Sequence, residues 1–155
     1  MDETEEFSKY YNLTLRYLSY RSRSEKEIKD YLVKKKLDEG TIESIIIKLK
    51  EYKFLDDTKF AKTWISSRLR YKNKPVWIIE KELSDKGIKK ELIQELVSDL
   101  DSKKETDEKS AKELAQKKLD FYRNLSPQKR REKTASYLLR KGFSWDVVKK
   151  VLQSN

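Results

Sequence analysis

The sequence predicts an all-α fold, with three tandem three-helix repeats stacked into an elongated curved array. Three observations carry that expectation. Glycine occupies only 3 of 155 positions and charged residues make up 41% of the chain, which is the composition of long, solvated helices. One apolar spacing recurs three times. Each copy is bounded by helix-starting and helix-ending residues at matching places.

The recurrent set is Leu32, Leu37, Ile42, Ile45 and Ile46 in the first copy. It returns as Leu83, Ile88, Ile93, Leu96 and Val97, and again as Leu138, Phe143, Val148, Val151 and Leu152. Spacings of three and four place each set on one helical face. Upstream, Leu18, Ile28 and Leu32 match Leu69, Ile79 and Leu83 in the same register. The units are expected over residues 1–55, 56–101 and 102–155. A unit of about 50 residues buries too little apolar surface to stand alone comfortably, so neighbours are expected to stack.

In chain order, the first repeat is read as helices over 8–20, 24–35 and 38–52. Ser24 and Glu27 form a capping box at the second of these. The second repeat is read as 58–71, 75–86 and 89–100. It opens on Asp56 and Asp57, which suit the start of a helix, where a carboxylate accepts backbone amides and complements the helix dipole. Phe60, Ala61, Trp64, Ile65 and Leu69 form the buried stripe behind them. The third repeat is read as 107–122, 127–141 and 145–153. Pro75 and Pro127 suit a first helical turn, where no amide donor is missed. Gly87 and Gly142 suit the left-handed residue that closes a helix. The first repeat has Lys36 at that place, so its turn is either strained or shaped differently.

Composition narrows the function. The chain has no histidine and no cysteine, which removes the commonest zinc ligands and the commonest general base. An all-carboxylate Mg²⁺ site stays possible. However, Asp56 and Asp57 lack a third converging acid or a phosphate-binding glycine loop. No catalytic residue, metal or cofactor is expected. No apolar run approaches the length of a membrane span. The acidic start, MDETEEF, has no apolar segment of the secretory kind. Absent cysteine fits a reducing compartment, and a monomer is expected.

Net charge is +10, which favours an acidic partner such as nucleic acid or an assembly coated with it. The excess is uneven. Residues 102–155 hold 15 Lys and Arg against 7 Asp and Glu, whereas residues 1–55 hold 12 against 11 and residues 56–101 hold 10 against 9. Two basic groups are candidates for partner contact. In the second repeat, Arg68, Arg70, Lys72 and Lys74 follow the Trp64 stripe, with Tyr71 among them. In the third, Lys129, Lys133, Tyr137 and Arg140 form one helical stripe flanked by Arg130, Arg131 and Lys141. Either group could meet phosphates or remain a solvated face. Trp77 and Trp145 stand where the other repeats place charge. They read as packing between repeats or as partner anchors.

FLDDTKFAKTWISSRLR followed by KPVWIIEKELSDKGI resembles the central block of the RecX family, regulators of the recombinase RecA. LRYLSYRSRSEKEIKDYLVKK and YLLRKGFSWDVVKKVL resemble its first and last blocks. The resemblance covers about residues 11–152. Lys36 and the segment DEKSAKELAQKKL depart from the pattern. The resemblance implies a cytoplasmic, non-enzymatic protein of three three-helix repeats. It also implies binding along the RecA–single-stranded-DNA filament that restrains filament extension, ATP turnover, strand exchange and co-protease activity. Weaker, salt-dependent affinity for single-stranded and double-stranded DNA is expected alongside. The competing class is a helix-turn-helix DNA-binding regulator, which the helix pairs around the K-G-I turn superficially fit.

Overall fold

The computed structural model describes residues 3–153. Among them the chain forms nine α-helices and no strand. The first repeat comprises α1 (Glu3–Tyr20), α2 (Glu25–Lys34) and α3 (Glu39–Glu51). The second comprises α4 (Asp57–Tyr71), α5 (Val76–Asp85) and α6 (Lys90–Ser98). The third comprises α7 (Lys103–Phe121), α8 (Pro127–Arg140) and α9 (Trp145–Gln153). Two helices start earlier than expected. The α7 start is fixed by Ser102, whose hydroxyl accepts the Glu105 amide at 3.1 Å. Glu3, Glu5 and Glu6 occupy the start of α1, where acidic side chains complement the helix dipole.

Each repeat has its own core. Ile28, Leu32, Ile45 and Leu49 are fully buried in the first, as are Ala61, Val76, Ile79 and Leu83 in the second. The third core is built on Ala111, Ala115, Leu138 and Val148. All fifteen recurrent apolar residues identified in the sequence are buried. Burying one such side chain contributes about 1.5–3 kcal/mol. Trp64 and Leu69 are only half-buried and pack against the edge of the second core. The molecule exposes 10459 Å², against about 8,200 Å² for a compact monomer of its 18.6 kDa mass. Three small cores in series therefore give an open shape.

The caps explain where the helices begin. Ser24 and Glu27 form the full capping box on α2. Pro127 is the first residue of α8, capped by Ser126. Pro75 instead lies just outside its helix, with φ −59° and ψ 148°, and leaves the Val76 amide as the first of α5. The two aspartates divide their work. Asp56 caps its own helix, accepting the Thr58 and Lys59 amides at 3.0 and 3.1 Å. Asp57 reaches back to the previous repeat, where its Oδ1 accepts the Glu25 amide at the start of α2 at 2.8 Å. One repeat later, Asp107 Oδ1 accepts the Val76 amide at 2.8 Å.

The closing turns complete the same joint. Gly87 has φ 80° and Gly142 φ 103°. In both turns the residue after glycine donates to the carbonyl five positions back, Ile88 to Leu83 at 3.0 Å and Phe143 to Leu138 at 3.2 Å, the bond that closes a Schellman turn. Each glycine also lies flat against the helix start of the preceding repeat. A Cβ on Gly87 would sit 2.6 Å from Lys26 Cβ, and one on Gly142 would sit 2.7 Å from Ile78 Cδ1. Lys36 takes the same left-handed conformation, φ 63°, so the strained reading of that turn holds. Lys36 is exposed, and no earlier repeat lies against it among the described residues. Its side chain has room that Gly87 and Gly142 do not.

Burial is the main influence on the Asp57 and Asp107 carboxyls and holds both above the ordinary aspartate range, although each accepts a backbone amide. Each therefore favours the native state below the unfolded-chain value, and that contribution is lost as pH rises through the raised value. Asp57→Asn keeps the acceptor oxygen and removes the titration. It should change stability at neutral pH by less than about 1 kcal/mol and flatten the acid side of the stability profile, whereas Asp57→Ala should cost about 1–2 kcal/mol. Urea denaturation across pH measures both, and equal losses for Asn and Ala would contradict the joint.

Gly87→Val meets both positive φ and the Lys26 side chain, and should cost at least about 1 kcal/mol. Lys36→Gly should cost nothing, because only the φ constraint applies there. Thermal unfolding of the two variants checks the contrast.

Candidate partner-binding site

The two basic groups differ in how much of their charge is already used. In the second repeat, Glu82 of α5 lies between two of the candidates. Arg68 Nε approaches its carboxylate at 3.2 Å and Lys74 Nζ at 3.2 Å. The Arg68 guanidinium also lies 4.2 Å from the Trp64 ring centroid. Arg68 and Lys74 are half-buried, so their first role is to tie α4 to α5. Arg70 remains exposed, 5.5 Å over the Tyr71 ring. Lys72 is exposed at the end of α4. Between them Asn73, buried at φ 50°, donates from Nδ2 to Glu113 Oε2 at 2.7 Å and binds the second repeat to α7.

The α8 stripe of the third repeat forms no ion pair among the described residues. Lys129, Lys133 and Arg140 of α8 are exposed, and no ion pair involves them among the described residues. Arg131 and Lys141 are likewise exposed and unpaired there. Arg130 is different: its guanidinium donates to the Arg123 and Leu125 carbonyls at 3.0 and 3.1 Å and fixes the α7–α8 connection. Tyr137 is half-buried between lysines, with Lys118 Nζ 4.3 Å and Lys141 Nζ 5.5 Å from its ring centroid. Lys118 also faces Phe121 at 5.1 Å and Tyr122 at 5.9 Å, and Lys133 faces Tyr122 at 5.7 Å. The stripe therefore widens across α7 into a basic and aromatic face. Lys118, Phe121 and Tyr122 were not among the sequence candidates. The α8 helix has 14 residues against 10 in α2 and α5, and that insertion obscures how α7 aligns with α1 and α4.

The two tryptophans separate. Trp77 sits in the second joint, where its Nε1 donates to the Gly142 carbonyl at 2.8 Å, although it is 53% exposed. Trp145 is 57% exposed at the first position of α9, with no hydrogen bond or ring contact of its side chain among the described residues. Trp77 is thus partly a packing residue, and Trp145 is the freer anchor.

No group of three or more Asp or Glu among the described residues could hold a metal ion, and no helix there is long and apolar enough to cross a membrane. A groove of about 640 Å³ is open to solvent beside the first joint, between Leu18, Arg23, Phe54 and Lys59. These features define a tandem array of three-helix repeats whose α8 stripe carries cations with no ion-pair partner among the described residues.

The chain belongs to the RecX family. The first RecX three-helix domain matches residues 11–49, the second 56–97 and the third 105–152. The regulatory protein RecX of Oceanobacillus iheyensis is 36% identical over 99% of this chain and 56% of its own length. That of Bacillus subtilis is 35% identical over 93% of this chain and 54% of its own. The chain thus spans about half the length of the curated relatives it matches. A crystal structure of RecX from Lactobacillus salivarius superposes with a TM-score of 0.77 at 28% identity, covering 97% of both chains. A second, of a regulatory protein RecX, gives a TM-score of 0.72 at 30% identity over 95% of this chain and 71% of that one. The matching curated relatives are named as regulatory proteins.

If Trp77 holds the joint through its indole N–H, Trp77→Phe should cost about 1 kcal/mol, the net worth of one hydrogen bond. Trp145→Phe should leave stability within about 0.5 kcal/mol. Chemical denaturation distinguishes them, and equal effects would remove the distinction.

Proposed function

We propose that this chain is a RecX-like modulator of RecA. It binds the RecA–single-stranded-DNA filament and restrains filament extension, ATP turnover, strand exchange and co-protease activity. Free single-stranded DNA, and more weakly double-stranded DNA, bind the same cationic surface. The observation that carries this reading is the array of three RecX domains with an α8 stripe whose Lys129, Arg131, Lys133, Arg140 and Lys141 form no ion pair among the described residues. An open array of repeats can touch several protomers of a filament at once, and weak contacts then add through effective concentration. Inhibition follows if the bound array favours one filament geometry over another.

The test exchanges charge on the face. Lys129, Lys133 and Arg140 changed together to Glu invert its sign without touching the buried Thr134 and Leu138 side of α8. The variant should remain folded, because exposed substitutions shift stability by about 0.5 kcal/mol or less each. Its inhibition of RecA ATP turnover should fall strongly. Inhibition by the parent should weaken with salt, because charges screen over roughly 8 Å at physiological ionic strength. RecA ATPase inhibition at two salt concentrations, with circular dichroism as control, gives the answer. A folded variant that inhibits like the parent at both would make the stripe a solvated face. A parent that binds duplex DNA tightly and leaves RecA unaffected would favour the helix-turn-helix regulator instead.

A further inference from the structure

The three most exposed large hydrophobic side chains are Tyr20 at 76%, Phe121 at 72% and Tyr71 at 70%. They are not scattered. Each is the last residue of the first helix in its repeat, at the ends of α1, α4 and α7. The register agrees along those helices. Thr14, Ile65 and Ala115 are equivalent and all buried, and Leu18, Leu69 and Leu119 are equivalent and all half-buried. An aromatic ring stands at one repeat position three times, each time in water. Core packing does not explain it.

Equivalent positions fall in line when equivalent joints connect the units. The joints are equivalent: Asp57 on the Glu25 amide and Asp107 on the Val76 amide, Gly87 against Lys26 and Gly142 against Ile78. Cations accompany the row. Arg70 lies 5.5 Å over Tyr71, and Lys118 lies 5.1 Å from Phe121. Tyr122 and Tyr137 extend the third station, and neither Arg70 nor Lys118 has an ion-pair partner among the described residues.

We infer that Tyr20, Tyr71 and Phe121 form a row of stacking stations for a single-stranded nucleic acid that runs along the array. A single strand supplies flat π-faces for the rings and phosphates for the flanking cations, and that pairing is how sequence-tolerant single-strand binding is built. A duplex keeps its bases stacked on each other and cannot offer them. A row of one ring per repeat suits an extended polymer better than a compact ligand. The inference rests on the proposed function for its choice of polymer and deepens it by naming the residues that contact the strand.

The test uses the full chain and fluorescein-labelled oligothymidylate, followed by anisotropy at several salt concentrations. Tyr71→Ala and Phe121→Ala should each weaken binding roughly fivefold or more and leave the salt slope unchanged. Tyr71→Phe and Phe121→Tyr should retain binding. Arg70→Gln and Lys118→Gln should lower the slope, because each removes a phosphate contact. The triple Tyr20→Ala, Tyr71→Ala and Phe121→Ala variant should stay folded and lose preference for the single strand over a matched duplex. The inference is overturned if the folded triple variant binds like the parent, or if the parent binds duplex as well as single strand or binds neither. Loss of RecA inhibition with oligothymidylate binding intact would also overturn it, since the rings would then face protein. A parent that inhibits RecA but ignores the oligonucleotide removes the inference and the free-DNA part of the proposed function, and leaves RecA modulation standing.

Discussion

The joint between repeats depends on one interaction: a carboxylate from one repeat accepting the first amide of a helix in the repeat before it. The first amides of a helix have no partner within it, and burying one unpaired costs free energy. At α2 and α5 that amide is satisfied from outside, by Asp57 and Asp107. The carboxylate must be half-buried to reach it, and its raised pKa records the desolvation. One bond therefore stabilises the helix start and the repeat stacking together. Ser24 adds to the first joint by accepting from Glu27 at 3.2 Å while donating to the Lys86 carbonyl at 2.7 Å. Glu27 is pushed up by burial but held below the usual carboxylate range by the Ser24 amide, Arg21 and Lys86. Three marginal cores thus become one structure through a few directed polar contacts.

The same economy decides which charges remain for a partner. The second repeat uses Arg68 and Lys74 on Glu82. Lys86 pairs with Glu27 at 3.4 Å and Lys103 with Glu80 at 3.0 Å, both across joints. Cations near the joints are consumed by stacking. On α8, by contrast, Lys129, Arg131, Lys133, Arg140 and Lys141 form no ion pair among the described residues.

Much of the fold was legible because local rules and global packing agree. The apolar spacing, the Ser24 box and the glycine turns each act within one or two helical turns, and each appears where the sequence places it. The division of labour between Asp56 and Asp57 was not legible, because the amide that Asp57 accepts lies 32 residues earlier. Local reasoning identified the correct residue type and helix start but could not identify the second donor. The Lys36 turn was open for a related reason. Positive φ disfavours a side chain only moderately, whereas contact with a preceding helix forbids it, and only the structure shows which constraint applies. At the candidate site, the exposure of Lys129, Lys133 and Arg140 followed from helical periodicity. The internal use of Arg68, Lys74 and Arg130 did not, because their partners come from other elements. The ring row escaped because the longer α8 shifts the third repeat and hides the equivalence of Tyr71 and Phe121.

The joint also shows what stacking requires of a residue. A helix start must offer an amide at its first position, as Glu25 and Val76 do. Pro127 holds that position in α8 and has no N–H to give. A closing turn must lack a side chain to lie against the preceding helix, as Gly87 and Gly142 do. Lys36 holds that position in the first repeat and carries one. A further three-helix unit placed against either of these two elements could not use the contact that builds the first and second joints. It would need another donor in place of the proline amide, or a wider spacing to clear the lysine. The two internal joints are interchangeable in chemistry, while the outer surfaces of α2–α3 and α8 differ from them. Among the described residues the α8 start is capped by its own Ser126 hydroxyl, which accepts the Lys129 amide at 3.3 Å.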